Sequence, residues 1–407
     1  MMKQFSLSTK VAIGFVIGIV LGLIFKEDIL IIKPIGTIFL TLIKMIVVPL
    51  VFFSIASSVA GIDNIQRLRR IGTQTLLYYV LTTLIAGCIG LFVAHLLKPG
   101  AGIDIAALPI SAQTMESKEI PGIGQTLVGM FPANPFQSLV EGNLVQVIVF
   151  SLFLGISVVL LGEKAQLVKN LMNTGTEVMY KMTSLVMAFS PYGVAALIAC
   201  SIGEYGIQIF GPLARFILTD YLGLLAVILS MYLLMLKFIA KVPVGMFFKK
   251  ILPIWAVTAS TTSSSGTLPV TTEIVEKKMG VHNELAQFTL PVGATMNMNG
   301  AVVYYAAAVI FVSQIYGVEL DLTSQIILIL LTALVSIGSP GIPGGGIVMT
   351  VMLLSTMGLP LEIMGLIAGM YRILDMGHTT LNVTGDVVST LCIARKENML
   401  DQEIFKS

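Results

Sequence analysis

"TALVSIGSPGIPGGGIVMTVMLLSTMG", residues 332–358, places a Gly/Pro tip between two short apolar arms. Neither arm reaches the ~20 apolar residues needed to cross a bilayer core. The charges around the stretch put its start and its end on the same side. It therefore reads as a re-entrant helical hairpin. An earlier stretch, "PIWAVTASTTSSSGTLPVTTEIVEKKMG" (253–280), repeats the design with a serine run, a glycine and prolines, and reads as a hairpin entered from the opposite face. Irregular backbone at membrane depth is tolerated only where it is buried in protein or lines a cavity. A pair of interrupted apolar segments is also the sequence pointer to a transporter's substrate site. Each hairpin precedes one helix, 283–316 and 361–394, so the second half of the chain is an inverted repeat of hairpin and helix.

The rest of the chain agrees with a membrane setting. Of 407 residues, 56% are hydrophobic and 11% are charged, with a mean hydropathy of +0.94. A soluble domain carries about 25% charged residues. Apolar helices are expected near 9–25, 35–60, 73–97, 122–161, 175–203 and 211–240, the fourth broken by "PANP" and "EGN". Lys3 and Lys10, Arg67, Arg69 and Arg70, Lys164 and Lys169, Lys237, Lys241, Lys249 and Lys250, and Arg395 and Lys396 fall on one face of that topology. Asp104, Glu116, Glu204, Glu319 and Asp321 fall on the other. By the positive-inside rule both termini are cytoplasmic, in a cell membrane. The net charge of +2 gives no nucleic-acid signal. Cys88, Cys200 and Cys392 are far apart and read as buried free thiols. The first helix reads as uncleaved.

The hairpin tips suggest chemistry. The second arm of each hairpin starts near mid-membrane, where free N–H groups and the positive dipole end suit a carboxylate. Ser263, Ser264 and Ser265 add hydroxyl donors, and Gly344, Gly345 and Gly346 let backbone approach a ligand. In "GATMNMNG" (293–300), Asn297 and Asn299 cannot both face one side of a regular helix. They read either as ligands of an alkali cation at an unwound turn or as interhelical amide bonds. In "YRILDMGHTTLNVTGD" (371–386), Asp375, His378, Thr379, Asn382 and Asp386 share one helical face. A charge at mid-membrane normally faces a cavity or a partner. Asp375 suits a substrate ammonium, Asp386 a cation, and Asn382 both. Arg372 lies off this face, where it snorkels or pairs.

These residues carry a resemblance to the glutamate transporter homologues, the dicarboxylate/amino acid:cation symporters. It rests on "YYVLTT" (78–83), "LLKPGAGI" (96–103), "SSSGTLPVT" (263–271), "FTLPVGATMNMNG" (288–300), "SIGSPGIPGGG" (336–346) and "ILDMGHTTLNVTGD" (373–386), and covers nearly the whole chain. The resemblance implies an all-α integral membrane protein with eight transmembrane helices, two re-entrant hairpins, inverted repeats, a homotrimer in the lipid bilayer and an elevator mechanism. It divides the chain into scaffold helices (1–72 and 122–206), helix 3 with an extracellular loop (73–121), helix 6 (207–249), and a transport core (250–407). That core holds hairpin 1 (250–279), helix 7 (283–316), hairpin 2 (323–357), helix 8 (361–394) and a cytoplasmic tail.

By the same resemblance Asp375 binds the substrate α-amino group. Ser264, Ser265, Met298, Ala301, His378, Thr379 and Asn382 line the substrate, with Ile342 and Gly346 as the hairpin lid. Gly293, Asn297, Asn382 and Asp386 match one sodium site. Thr295, Met298, Ser336, Ile337 and Ser339 match a second, and Tyr79, Thr82, Thr83 and Asn299 fall at a third.

Three departures matter. His378 replaces the arginine that reads an acidic side chain; Asn299 and Ala301 replace an aspartate and a threonine; Tyr371 stands where many relatives have an aspartate. A neutral imidazole suits a small neutral amino acid, so the expectation is an Na⁺-coupled symporter for such a substrate. An Na⁺- or H⁺-coupled glutamate, aspartate or dicarboxylate symporter is the alternative, and an uncoupled channel or binder the third reading. A hydrolase built on Ser264, His378 and Asp375 is disfavoured, because Asp375 and His378 occupy adjacent turns of one helix and cannot orient the ring against a serine.

Overall fold

The computed structural model describes residues 7–61, 65–101, 128–129, 131–205, 210–339, 341 and 343–406. Asp104, Glu116 and Ile342 lie outside the described residues. The described chain is a succession of helices; its one strand-like contact is a bridge between Val281 and Leu400.

The first half supplies α1 (Leu7–Phe25), α2 (Lys33–Ala60), α3 (Ile65–Leu97), α4 (Pro135–Glu141), α5 (Leu144–Leu161), α6 (Gln166–Ala188), α7 (Ser190–Tyr205) and α8 (Phe210–Val227). The last runs on through π-helical turns at Ile228–Tyr232 and Met235–Ala240. The expected break in 122–161 is real. Asn134 caps α4 by accepting from Phe136 N–H and Gln137 N–H, left-handed Gly142 ends it, and Asn143 caps α5. Helix α1 lies along α7, and α2 packs on α5, α6 and α7. The α1–α7 crossing is close because Gly18 and Gly22 sit against the carbonyls of Ala195 and Ala199. An added Cβ would come within 2.6 and 2.7 Å of those oxygens. Small residues four apart are how helices approach in lipid.

The second half holds two helix pairs over the stretches read as hairpins, and the hairpin names are kept for them as labels. Hairpin 1 is α9 (Val244–Thr261) and α10 (Ser264–Lys277); hairpin 2 is α13 (Leu322–Gly338) and α14 (Gly345–Thr356). Between them the chain runs through α11 (Asn283–Met296) and α12 (Asn299–Ile315), and after them through α15 (Met364–Lys396) and the short α16 (Gln402–Lys406). Helix α12 is apolar all round, and all its residues except Gln314 are buried, as expected of a helix without a polar face. Helices α3, α8, α9 and α11 to α15 close around it and around one another. The tail is fastened under hairpin 1: Lys250 Nζ donates to the carbonyls of Lys278 (2.6 Å) and Ile404 (3.0 Å).

Five stretches, Thr9–Ser57, Arg70–Leu97, Gln146–Ala188, Gly211–Ala240 and Asn283–Ile315, are long and apolar enough to cross a membrane. Three of these, Thr9–Ser57, Gln146–Ala188 and Asn283–Ile315, each contain a pair of helices. Leu96, Leu160, Leu167 and Leu185 point outward with more than half their surface exposed, as suits a lipid-facing surface. One cysteine departs from expectation. Cys200 and Cys392 are buried, but Cys88 sits on the outside of α3, where an apolar environment accepts a thiol as well as a core does.

Candidate substrate and cation site

Both hairpin tips end at the same place, and they touch. Ser263 starts α10: its Oγ accepts from Gly266 N–H (2.9 Å) and donates to the Gly341 carbonyl at 2.6 Å. Ser265 N–H donates to the same carbonyl (3.2 Å). Ser264 is buried beside them and Ser265 half-buried. Thr262, just before the run, has φ of +50°, rare for a β-branched residue. Its hydroxyl accepts a hydrogen bond from Arg372 on α15. Thus Arg372 does not turn away from the site, as its helical phase suggested. It lines a cleft with Asp375, Tyr371 and Gly344, closed on the other side by Val11, Phe39, Met187 and Val194.

Asp375 lies under the tip of hairpin 2. Its Oδ2 accepts from Gly344 N–H (3.2 Å) and its Oδ1 from the Tyr371 hydroxyl (3.3 Å). Gly344 reaches this position at φ +81°, a left-handed turn that opens α14, with the N-terminal N–H groups aimed inward. Gly346 packs so closely that a Cβ would run into the Tyr371 hydroxyl. Tyr371, at the position of a family aspartate, donates to the Asp375 carboxylate instead of adding another anion.

The break between α11 and α12 is at Asn297 and Met298, whose ψ angles of 72° and 53° leave the helical region. Asn382 Oδ1 caps the new helix, accepting from Gly300 N–H (2.7 Å) and Ala301 N–H (3.3 Å), while its Nδ2 lies 3.3 Å from Met298 Sδ. Asn297 Nδ2 donates to Asp386 Oδ1 (2.9 Å), and Asn297 Oδ1 accepts from Thr82 (3.3 Å). Tyr79 donates to the Thr289 carbonyl at 2.8 Å. A Cβ on Gly293 would collide with Asp386 and stand 2.8 Å from Tyr79 Oη. Asn299 accepts from Thr83 (2.8 Å) and donates to Tyr232 (2.9 Å). Gly293, Tyr79, Thr82, Thr83, Asn297, Asn299 and Asp386 therefore form one buried, oxygen-rich cluster between α3 and the broken helix. Hard, oxygen-preferring cations favour such ligands. Ser336 joins the break from hairpin 2, accepting from Met298 N–H (3.0 Å) and donating to the Met296 carbonyl (3.2 Å). Ser339 pairs with the Tyr305 hydroxyl at 3.2 Å. Thr295 turns its hydroxyl back on its own helix, toward the Val292 carbonyl. Thr379 is buried and Ile337 half-buried.

His378 differs from expectation. It does not line the cleft with Asp375. Its Nε2 stands 2.9 Å from Asp220 Oδ2 on α8, with both side chains almost wholly buried. Asp220 is a buried ionisable group that the motif reading missed. The signal was present, since "FILTDYLG" puts one carboxylate in an apolar stretch of the helix, and an intramembrane ionisable residue is a functional-site hypothesis by default. Tyr232 was missed too; one hydroxyl in an apolar run gives no comparable signal.

Two helix tips meet over a buried carboxylate and a half-buried guanidinium, beside an oxygen-lined helix break. In sequence, residues 7–396 match the sodium:dicarboxylate symporter family, and the chain belongs to it. It is 33% identical over 414 residues to a proton/sodium-glutamate symport protein of Bacillus caldotenax, covering 99% of this chain and 97% of that one. It is 33% identical over 422 residues to the proton/glutamate-aspartate symporter of Escherichia coli (strain K12), covering 98% and 95%. A C4-dicarboxylate transport protein of Bacillus subtilis (strain 168) is 27% identical over 409 residues, covering 98% and 96%. The family is one of transporters, coupled to sodium or protons, and not of enzymes.

Proposed function

We propose that the protein is a secondary active symporter of an acidic substrate, glutamate, aspartate or a C4-dicarboxylate, driven by Na⁺ or H⁺. The observation that carries this reading is the position of Arg372. A guanidinium held against the hairpin 1 tip shares a cleft with Asp375, so a cation for a side-chain carboxylate and an anion for an ammonium lie one helical turn apart. The relatives named above, which act on glutamate, aspartate or C4-dicarboxylates, support the same substrate class. A small neutral amino acid, the expectation from His378 alone, becomes the second reading. It keeps one supporting observation, the imidazole in place of the family's arginine.

In this reading Ser264, Ser265, Met298, Ala301, Ile342, Gly346, Thr379 and Asn382 surround the substrate, and the oxygen-rich cluster takes sodium. Helices α1, α2 and α4 to α7 form a scaffold against which α3, α8, both hairpins, α11, α12 and α15 move as an elevator. The packing of α1 on α7 and of α2 on α5 to α7 supports that division. Eight spanning helices, cytoplasmic termini and a homotrimer belong to the same proposal. Uptake of labelled glutamate, aspartate, succinate, serine and alanine into proteoliposomes, with Na⁺, H⁺ and K⁺ gradients imposed separately, tests it. Acidic substrates should accumulate under a Na⁺ or H⁺ gradient. Serine or alanine uptake exceeding that of all three acids would reject the substrate assignment.

A further inference from the structure

The couple formed by His378 and Asp220 is not explained by packing. Both side chains are almost wholly buried, at 1% and 0% exposure, and they join α15 to α8 across 158 residues of sequence. Each keeps a second polar atom, His378 Nδ1 and Asp220 Oδ1, with no hydrogen-bond partner among the described residues. A buried pair kept for stability needs its remaining donors and acceptors satisfied, or desolvation outweighs the attraction. This one is left half-satisfied, and orphaned buried polar atoms mark functional or water-accessible sites.

We propose that Asp220 and His378 form a proton-binding site whose occupancy is linked to the binding of the acidic substrate. With one proton the couple is neutral overall, as carboxylate and imidazolium or as carboxylic acid and imidazole. Without it the couple is a bare carboxylate beside a neutral ring, with net charge −1 in a dry interior.

Among the described residues, few ionisable or charged groups face the couple. From α8 come Asp220 and its neighbour Tyr221, whose hydroxyl donates to the Ile373 carbonyl (2.6 Å). From α12 comes Tyr304, whose ring lies 4.7 Å from the imidazole. From α15 come Tyr371, at 6.0 Å, and Asp375, one turn away and charge-coupled to His378, with Arg372 a turn beyond. Helix α3 packs on α8, α12 and α15, and between Tyr79 and His95 its sole ionisable side chain is the outward-facing Cys88.

The route to the substrate is short. The imidazole lies with its ring centre 6.0 Å from that of Tyr371, Tyr371 donates to Asp375, and Asp375 accepts from Gly344 at the tip of hairpin 2. Adding the proton removes a negative charge from beside the cleft. The protonated couple therefore favours an anionic substrate, and by reciprocity an anionic substrate favours the proton. Mutual strengthening of that kind makes a proton a symported ion.

The inference rests on the acidic-substrate reading, and the test separates the two. In proteoliposomes with equal sodium on both sides and a pH dye inside, glutamate addition should drive proton entry with the wild type. Glutamate affinity should fall about tenfold per pH unit above the couple's titration if one proton is linked. Asp220→Asn and His378→Gln should lose proton entry per glutamate taken up and flatten the pH profile. His378→Arg, which keeps a cation against Asp220 and so guards against misfolding, should also be pH-flat. Sodium-driven glutamate uptake by the wild type without proton entry would overturn the proton site alone. So would proton entry per glutamate that persists in His378→Arg. Failure of the wild type to take up any acidic substrate under any gradient would remove both readings.

Discussion

Replacing Asp375 by asparagine separates an amino acid carrier from a dicarboxylate carrier. The carboxylate is 7% exposed. Its two protein bonds, to Gly344 N–H at 3.2 Å and to the Tyr371 hydroxyl at 3.3 Å, are long for charge-assisted bonds, which run nearer 2.7–2.9 Å. A carboxylate has about four acceptor sites, so capacity remains for an ammonium. Asparagine keeps the shape and one oxygen, which can still accept from Gly344. The Tyr371 hydroxyl can rotate to accept from the new amide. The protein itself should lose about 1 kcal/mol, one ordinary hydrogen bond. The substrate loses more. Removing one partner of a desolvated, hydrogen-bonded charge pair costs about 2–5 kcal/mol, or roughly 30-fold to several thousand-fold in affinity.

A ligand without an amine never made that pair, and near a neutral side chain it escapes repulsion from the carboxylate. In competition against labelled substrate in proteoliposomes at saturating sodium, Asp375→Asn should therefore weaken glutamate by at least about 30-fold. It should leave a C4-dicarboxylate unweakened or improved. The melting temperature and elution profile of the purified protein provide the folding control. Glutamate affinity within threefold of wild type in a folded variant would refute the ammonium role. Equal loss of both ligands would show that Asp375 acts through the hairpin lid instead.

Three further substitutions address the cations and the lid. Asp386→Asn removes the charge that Asn297 donates to and should raise the sodium concentration for half-maximal uptake about tenfold or more, as loss of one charge-assisted bond implies; an unchanged sodium curve would take Asp386 out of the cation site. Asn299→Asp puts an anion between Thr83 and Tyr232 and should tighten sodium binding or steepen its Hill slope; no change in either would show that this cluster is structural. Gly346→Ala drives a methyl into the Tyr371 hydroxyl, so hairpin 2 can no longer seat on Asp375; the substrate KM should rise with both Na⁺ and H⁺ driving, and a wild-type KM would mean that the lid closes elsewhere.

Much of this architecture was legible because its signals are local. A Gly/Pro tip between two short apolar arms reads as a break between two helices whatever surrounds it, and α13 and α14 lie on either side of that tip. The unwinding at Asn297 and Met298 followed from two amides that one helical face cannot hold together. Contacts between distant segments were not legible. Helical phase placed His378 with Asp375 and turned Arg372 away. Yet α8 supplies Asp220 to the first, and the left-handed turn at Thr262 draws the second toward hairpin 1. Phase describes a helix alone; which flank meets which neighbour is decided by packing partners far away in sequence. Asn382 illustrates the same point, because its amide oxygen, read as a ligand group, is occupied in holding the start of α12.

Formal charge explains why such a core should couple its substrate to cations at all. At formal charge, the buried or half-buried ionisable groups around the site, Asp220, Asp375, Asp386 and Arg372, count three negative and one positive, or −2 with His378 neutral. Such a deficit is expensive in a hydrocarbon interior, and an acidic substrate deepens it. A proton on the Asp220–His378 couple and a sodium ion beside Asp386 each offset one unit at a different point, one next to the substrate cleft and the other at the helix break. Loaded with cations, the core approaches neutrality and can cross; carrying an anionic substrate alone, it is held back. Symport on this reading needs no mechanical latch beyond the hairpin tips, because the partly loaded states are the ones with most uncompensated charge to move.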